Sequence, residues 1–403
     1  MERSPAQLGV GSVDLTAREF DYVQQVLQSK RLSYGPFSRK FEQEFARRHD
    51  CGFGVFVNSG TSALSIAVAC LKEVGKWREG DEILVPAVTF VATVNVLLEH
   101  GLTPVFVDCH PRTYTIDPAQ MEAKITPRTR GVMVVHLCGL MADMDLILAV
   151  ATKHDLTVIE DSCETVGAQY RGRTAGSLGA ISCFSTYAAH IIVTGVGGFA
   201  LTSDPHYAEI LRSLANHGRD SIYLCMDDDQ DIDGARFREI IRRRFRFIRR
   251  GYSFRATEME AALGLAQLER LEEILRVRRE HAQTLGADLH PLAQWLQLPW
   301  YDPTVQDHAF MMFPIVVREG SPFARNELVE HLEAWNVETR DLLPLINQPV
   351  YAPMHIPLQE YPVADWINRC GFYIGCHPGF SKEQLGYIVQ VFREFFRERK
   401  LLP

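Results

Sequence analysis

Residues Phe53 to Val74 read FGVFVNSGTSALSIAVACLKEV: a short apolar run, a patch of small and hydroxyl-bearing residues, then apolar residues at helical spacing. The run has the length and the β-branched, aromatic character of a strand, and its sequel has the period of a helix. The same unit recurs along the next hundred and fifty or so residues. DEILVPA (81–87) precedes helical FVATVNVLLEHG (90–101), TPVFVD (103–108) follows, and TRGVMVVHLCG (129–139) precedes helical DLILAVATKHD (145–155). LTVIED (156–161), ISCFSTY (181–187) and GGFALTSD (197–204) complete seven strand-like runs. Short apolar runs separated by helical patterns predict a mostly parallel, doubly wound α/β sheet, a fold that binds its ligands at the carboxyl ends of the strands.

Two amphipathic segments precede this pattern, TAREFDYVQQVLQS (16–29) and RKFEQEFARRH (39–49), joined by the turn SYGPFS (33–38). They are expected outside the main sheet or over its edge. After the helix PHYAEILRSLANHG (205–218) comes a break in composition, an acidic block followed by a basic one between Asp227 and Arg250. Such a charge run reads as a solvated excursion, or as a flap whose arginines meet a diphosphate or a neighbouring subunit. One long amphipathic helix is then predicted over 256–285. It leads to HAFMMFPIVV (308–317), the helix RNELVEHLEAWN (325–336), the loop LLPLINQPVYAPMH (342–355) and the last helix SKEQLGYIVQVFREFFRER (381–399). The expected organisation is a large domain over 1–275, with the charged excursion near 220–250, and a smaller α/β domain over 276–403.

The chain has 403 residues, 46% of them hydrophobic and 23% charged, which is ordinary globular composition. A net charge of -8 gives no drive toward nucleic acid or an anionic membrane. No apolar run has transmembrane length and no signal-peptide pattern follows Met1, so the expected location is the cytoplasm. Nine cysteines, an odd number scattered through strand-like and helix-like segments, suit reduced thiols. Cys370 and Cys376 lack a second pair at metal-ligand spacing, and no metal site is expected.

Three stretches carry candidate chemistry. In VNSGTSAL (57–64) a strand closes on small residues and a helix opens, so backbone N–H groups with Ser59, Thr61 and Ser62 beside Gly60 could hold an anion, or the hydroxyls could be plain helix caps. In PAVTFVATVN (86–95) Phe90 is either core or a flat face for a ring. VIEDSCETVGA (158–168) ends an apolar run with Glu160, Asp161 and Glu164. Such carboxylates are either solvated caps or partners for a cation, and one held against a protonated pyridine keeps that ring an electron sink.

Taken in order, SGTSAL, TFVAT, VHLCGLMADMD, VIEDSCETVGAQYRG, FSTYAAH, GVGGFALTSD and GYSFRATEMEAALGLAQLERL resemble the vitamin-B6-dependent sugar aminotransferase family of the aspartate-aminotransferase fold, type I. The resemblance runs from about Leu32 to the C-terminus. It implies pyridoxal phosphate near a homodimer interface and nucleotide-linked 4-keto sugars as substrates. By position, Gly60, Thr61, Ser62 and Ser185 would hold the phosphate, Phe90 would stack on the ring, Asp161 would face the pyridine nitrogen and Glu164 would lie near the ring hydroxyl. Tyr34 and Pro36 in SYGP, Tyr187, His217 and Arg219 in HGRD, and Asn347 in INQPVY match loops that line the sugar-nucleotide pocket. Where many members have an Asn that reaches the neighbouring subunit's phosphate, this chain has Ser253.

The departure is at the lysine. Family aminotransferases read Phe-Ser, four residues, Lys; here Phe184 and Ser185 are followed, at that seventh position, by His190. There is no lysine at all between Lys153 and Lys382, so the usual covalent anchor for the cofactor is excluded. Histidine keeps only the proton-transfer half of lysine's work, for which an imidazole near pKa 6.5 is suited. The pattern is similar to the histidine-for-lysine branch, which contains NDP-4-keto-6-deoxyhexose 3-dehydratases of deoxysugar and lipopolysaccharide O-antigen synthesis. Some members of that branch carry an iron-sulfur cluster with cysteines after HGRD; only Cys225 stands there, and no cluster is expected. The implied reaction uses pyridoxamine phosphate and an amino donor such as glutamate, with His190 and Asp161 as the catalytic residues. The alternatives are a 4-ketosugar aminotransferase working without its lysine and a cofactor- or sugar-nucleotide-binding protein without turnover.

Overall fold

The computed structural model describes residues 2–222 and 232–402; Cys225 and residues 227–231, which begin the charged stretch, lie outside them. The seven strand-like runs fold as β1 (Phe53–Val57), β2 (Glu82–Pro86), β3 (Thr103–Val107), β4 (Thr129–Val135), β5 (Thr157–Asp161), β8 (Ile181–Ser185) and β9 (Gly198–Thr202). They form one sheet in the order β1-β9-β8-β5-β4-β2-β3. Only β9 runs antiparallel, to both of its neighbours. The other adjacent pairs are parallel. Two short strands, β6 (Gln169–Tyr170) and β7 (Arg173–Thr174), join β11 (Gln306–Asp307) in a separate ribbon.

Helices α1 (Ala17–Ser29) and α2 (Pro36–Arg48) precede the sheet, and α2 packs on its edge strand β1. The crossovers carry α3 (Gly60–Val74), α4 (Val91–Glu99), α5 (Pro118–Met121) and α6 (Met144–Lys153), and α7 (Pro205–Ala215) follows the last strand of the sheet. Strands buried on both faces explain why β2 and β4 read as nearly unbroken apolar runs. A short helix α8 (Gly234–Arg243) lies in the charged stretch, and its last arginine is used within the chain: Arg243 pairs with Asp220 at 2.7 Å. Farther on, Arg249 pairs with Glu73 at 3.0 Å.

The long helix expected over 256–285 is in fact two, α9 (Glu258–Glu269) and α10 (Leu271–Leu289), broken at Arg270. The start is set by a capping box between Thr257 and Glu260. Arg270 leaves helical geometry, and its guanidinium reaches Asp14 at 3.0 Å and Glu19 at 3.4 Å. Periodicity conceals this break because Leu268 and Leu271 are both buried and stay in phase. Helix α10 then passes from one apolar core to another: Leu271, Ile274 and Leu275 join the core of the large sheet, Ala282, Leu285 and Leu289 a second one.

That second core lies between a four-stranded sheet, in the order β10 (Leu296–Gln297), β12 (Phe313–Val317), β14 (Gly371–Ile374) and β13 (Arg340–Asp341), and the helices α11 (Arg325–Ala334) and α13 (Lys382–Glu398). Helix α12 (Pro362–Cys370) leads into β14. The loop predicted over 342–355 contains a 3₁₀ turn, Pro349–Met354. Ahead of α1, residues 8–12 form a strap across the molecule. Leu8 bridges to Val337, Val10 N–H donates to Glu338 at 2.7 Å, and Gly9 O lies 3.1 Å from His377 Nε2. Among the described residues no helix is long and apolar enough to cross a membrane.

Candidate active site

The carboxyl ends of β1, β2, β5 and β8 bring the first group of expected residues together. Beyond β1 the chain enters α3 at Ser59, whose Oγ accepts from Ser62 N at 3.0 Å and so caps the helix; Thr61 stays exposed in its first turn. Gly60 is wedged so tightly that a Cβ there would lie 2.9 Å from both Ser185 Cβ and Cys163 Sγ. A helix N-terminus opened by a residue with no side chain, beside the Ser185 hydroxyl, leaves backbone room for a phosphate.

Beyond β2, Phe90 stands just before α4 and is 59% exposed, a bare ring where a core aromatic would be covered. One turn later Thr93 donates its hydroxyl to Asp161 Oδ2 at 2.8 Å, itself linked to Thr89 at 2.8 Å. Asp161 ends β5 and is buried; Cys163 is its other partner, through its amide at 3.3 Å and through its thiol. Burial pushes its pKa up, against these hydrogen bonds, and among the described residues no lysine or arginine pairs with it. A buried carboxylate held in this way is short of a cation.

The three carboxylates of VIEDSCETVGA thus separate. Glu160 is structural: His136 Nε2 lies 2.9 Å from it, and the amides of Gly176 (2.9 Å) and Leu178 (2.8 Å) donate to it. Glu164 accepts from Cys138 N, and burial, reinforced by the charge of Asp161, pushes its pKa up to about 8. At neutral pH it therefore carries a proton much of the time and can donate a hydrogen bond.

After β8 the chain turns and returns through β9. Hydrogen bonds from Thr186 N to Gly197 O (3.0 Å) and from Thr194 N to Thr186 O (2.9 Å), with the two threonine hydroxyls 2.6 Å apart, close the base of the turn. Ile191, Ile192 and Val193 are buried and pin its far side. His190 sits between these anchors, half-buried, with its Nδ1 enclosed and without a partner. Burial, and then the charge of Arg278, bring its pKa down to about 4, so the imidazole is neutral. Tyr187 is exposed, its ring edge-on to His190 at 6.3 Å. The strap lies on the same turn: a Cβ on Gly11 would be 3.0 Å from Ala189 Cα.

A second group forms beside the entry to α3. Arg255 lies 3.1 Å from His217 Nε2 and donates to Ser253 Oγ at 3.0 Å, while Asn58 N donates to Phe254 O at 2.8 Å. Arg219 donates to Arg244 O and lies over Phe245 and Phe247. The other three expected residues stand on separate loops. Tyr34 gives its hydroxyl to Glu42 at 2.8 Å, and Pro36 opens α2. Asn347 is exposed in the loop that Tyr351 ties to Asn95 of α4 at 2.7 Å. Sequence reading missed Thr93, Cys163 and Arg278, and also Tyr373, whose phenol is pushed up chiefly by burial beside Glu164. Thr93 lies inside TFVAT, but only the fold shows which carboxylate it serves.

A phosphate cradle, a flat exposed ring and a buried carboxylate short of a cation are what a phosphorylated pyridine needs, and the residues present fit pyridoxal phosphate. The protein is a pyridoxal-phosphate-dependent enzyme of fold type I. It belongs to the DegT/DnrJ/EryC1/StrS aminotransferase family, whose model matches residues 13–393. Over 95% of its length and 96% of the relative's it is 34% identical to GDP-perosamine synthase of Caulobacter vibrioides. It is 28% identical to the GDP-4-keto-6-deoxy-D-mannose 3-dehydratase of Yersinia pseudotuberculosis, over 94% and 96% of the two chains. The solved structure of the E. coli GDP-4-keto-6-deoxy-D-mannose-3-dehydratase with bound hydrated PLP superposes with a TM-score of 0.85 at 25% identity, covering 96% of this chain and 99% of that one.

Proposed function

We propose that this chain is a 3-dehydratase for a nucleotide-linked 4-keto-6-deoxyhexose, loaded with pyridoxamine phosphate. The observation that carries this reading is His190, neutral and with an unpartnered ring nitrogen, on the turn where family aminotransferases place lysine. When bound, the cofactor supplies an amino group for the 4-keto carbon and a ring that accepts electrons. Asp161 holds a positive charge at the buried end of that site, and the α3 N-terminus with Ser185 holds the negative one. His190 takes a proton at Nε2, the ring nitrogen that is not enclosed, and, having no amine, forms no covalent link. The net outcome is loss of the 3-hydroxyl, release of ammonia, and reloading from a donor such as glutamate.

The proposal includes the domain division at 1–275 and 276–403, a cytoplasmic setting and a homodimer, with Ser253, His217, Arg219, Tyr34, Pro36 and Asn347 around the nucleotide. In support of an assembly, Phe245 and Phe247 are 77% and 48% exposed. A second reading, 4-ketosugar amination, is kept by the 34% and 31% identity to perosamine synthases, beside 32% and 28% to 3-dehydratases.

The product's mass separates the two. With pyridoxamine phosphate, glutamate and a nucleotide 4-keto-6-deoxysugar, the expected product is lighter by one oxygen atom and still a ketone, and one ammonia appears per turnover; a product in which an amino group has replaced the keto oxygen while the 3-hydroxyl remains sinks the dehydratase reading. His190→Asn should retain the fold and the cofactor's absorbance while losing about a hundredfold or more in kcat.

A further inference from the structure

Arg278 of α10 is 2% exposed, and among the described residues no carboxylate pairs with it. A guanidinium taken out of water without a counter-charge is unfavourable unless its N–H groups find acceptors. Its acceptors are backbone carbonyls and the Cys376 sulfur. Nη1 donates to Phe310 O at 3.2 Å and to Met311 O at 2.9 Å, Nη2 donates to His190 O at 3.3 Å, and Nε has no partner.

One arm therefore holds the residue that carries the imidazole. The other holds a segment that is costly in itself, because Phe310 sits in the left-handed region at φ 46°. That segment leans on the edge of the cofactor site. Ala309 N donates to Gly139 O at 2.8 Å, and a Cβ on Gly139 would lie 2.5 Å from Phe310 N. The preceding residue, Cys138, gives its amide to Glu164. A single planar fork thus spans from the His190 turn to the wall that holds Glu164.

The surroundings are otherwise without charge toward the imidazole. Its own turn supplies Tyr187, and the strap on Ala189 has no ionisable side chain between Gly9 and Ser12. Behind Arg278, Cys376, His281 and His377 are held neutral by burial. A cation behind the imidazole keeps it unprotonated before each turnover while lowering its basicity, and a carboxylate there would do the reverse.

We propose that Arg278 is the positioning residue for His190: its fork sets the turn and its charge favours the proton-accepting form of the imidazole, a role that rests on the reading of His190 as base. The test uses the holoenzyme and two variants. Arg278→Gln keeps an amide donor and removes the charge; Arg278→Lys keeps the charge and loses the fork. Histidine-labelled NMR, with the His190 signal assigned by its loss in His190→Asn, reads the titration midpoint. Amide exchange reads the turn.

Arg278→Gln should raise the His190 midpoint by roughly half a pH unit or more, and Arg278→Lys should leave it near the parent's. Both should speed amide exchange across 187–193 and lower kcat about tenfold with KM changed less than about threefold. An unmoved midpoint in folded Arg278→Gln overturns the proposal whether or not the enzyme turns over. Should that variant fail to fold, Arg278→Lys decides, and parent-like exchange across the turn overturns it. A midpoint that rises as expected while His190→Asn keeps the parent's rate supports the positioning and defeats the reading of His190 as base, so the two failures are told apart.

Discussion

Gly60 shows how little space a residue in this site has. Its Cα faces Ser185 and Cys163 at distances that admit no methyl group, and both neighbours sit at ends of buried strands that have no room to retreat. Gly60→Ala should cost about 1–3 kcal/mol of stability through overpacking. It should also weaken pyridoxal phosphate binding about tenfold or more, a loss of about 1.4 kcal/mol. A thermal melt and an absorbance titration read the two effects, and parent-like binding would show that the phosphate sits elsewhere. The carboxylates nearby mark a limit of sequence reading at this scale. Glu160, Asp161 and Glu164 lie within five positions, and all three are buried. Sequence alone does not say that Glu160 is consumed by His136 and neighbouring amides while Asp161 is left short of a cation, because those partners come from β4, α4 and the loop before β8.

Among the elements, α9 is the one whose placement bears most directly on the catalytic turn. A Cβ on Gly264 would come within 2.3 Å of the Phe41 ring and 2.7 Å of Thr194 Cγ2, so this helix touches α2 on one side and the base of the His190 turn on the other. Gly264→Ala is expected to lower stability by about 1–3 kcal/mol. Because Thr194 is displaced with it, kcat should also fall while KM holds; a melt that shifts with kcat unchanged would show that the strain is absorbed by Phe41 alone. The seven strands and the crossover helices α3, α4 and α6 were legible in the sequence because local pattern determines them. The break at Arg270 was not, since it is set by Asp14 and Glu19 from about two hundred and fifty positions away. Arg278 was hidden for a similar reason: in sequence it is one more arginine in a basic run, and its burial follows from where Phe310 and His190 meet.

For the molecule as a whole, buried histidines set the response to acid. His49 and His377 are held down to about 4 and His308 to about 3, chiefly by burial. Unfolded imidazoles titrate near 6.5, so below that pH the unfolded chain binds more protons than the folded one. Stability is therefore whole above about 6.5 and is lost as pH falls toward 4, at about 1.4 kcal/mol per pH unit for each histidine. Glu164, raised to about 8, acts in the opposite direction over the same window. With His190, also held down to about 4, one carboxyl stands against four imidazoles, so the net sign is unchanged and urea midpoints should fall between about pH 7 and about pH 5. Equal midpoints at the two values would mean that these histidines are protonated in the folded state. The strap at residues 8–12 has a consequence in time. Val10 and Gly9 find their partners 328 and 368 positions later in the chain, at Glu338 and His377. On a ribosome working at about 5–20 residues per second, the segment that backs the His190 turn waits roughly 20–70 s for its anchors to be synthesised, so that turn gains its backing only after most of the chain has been made.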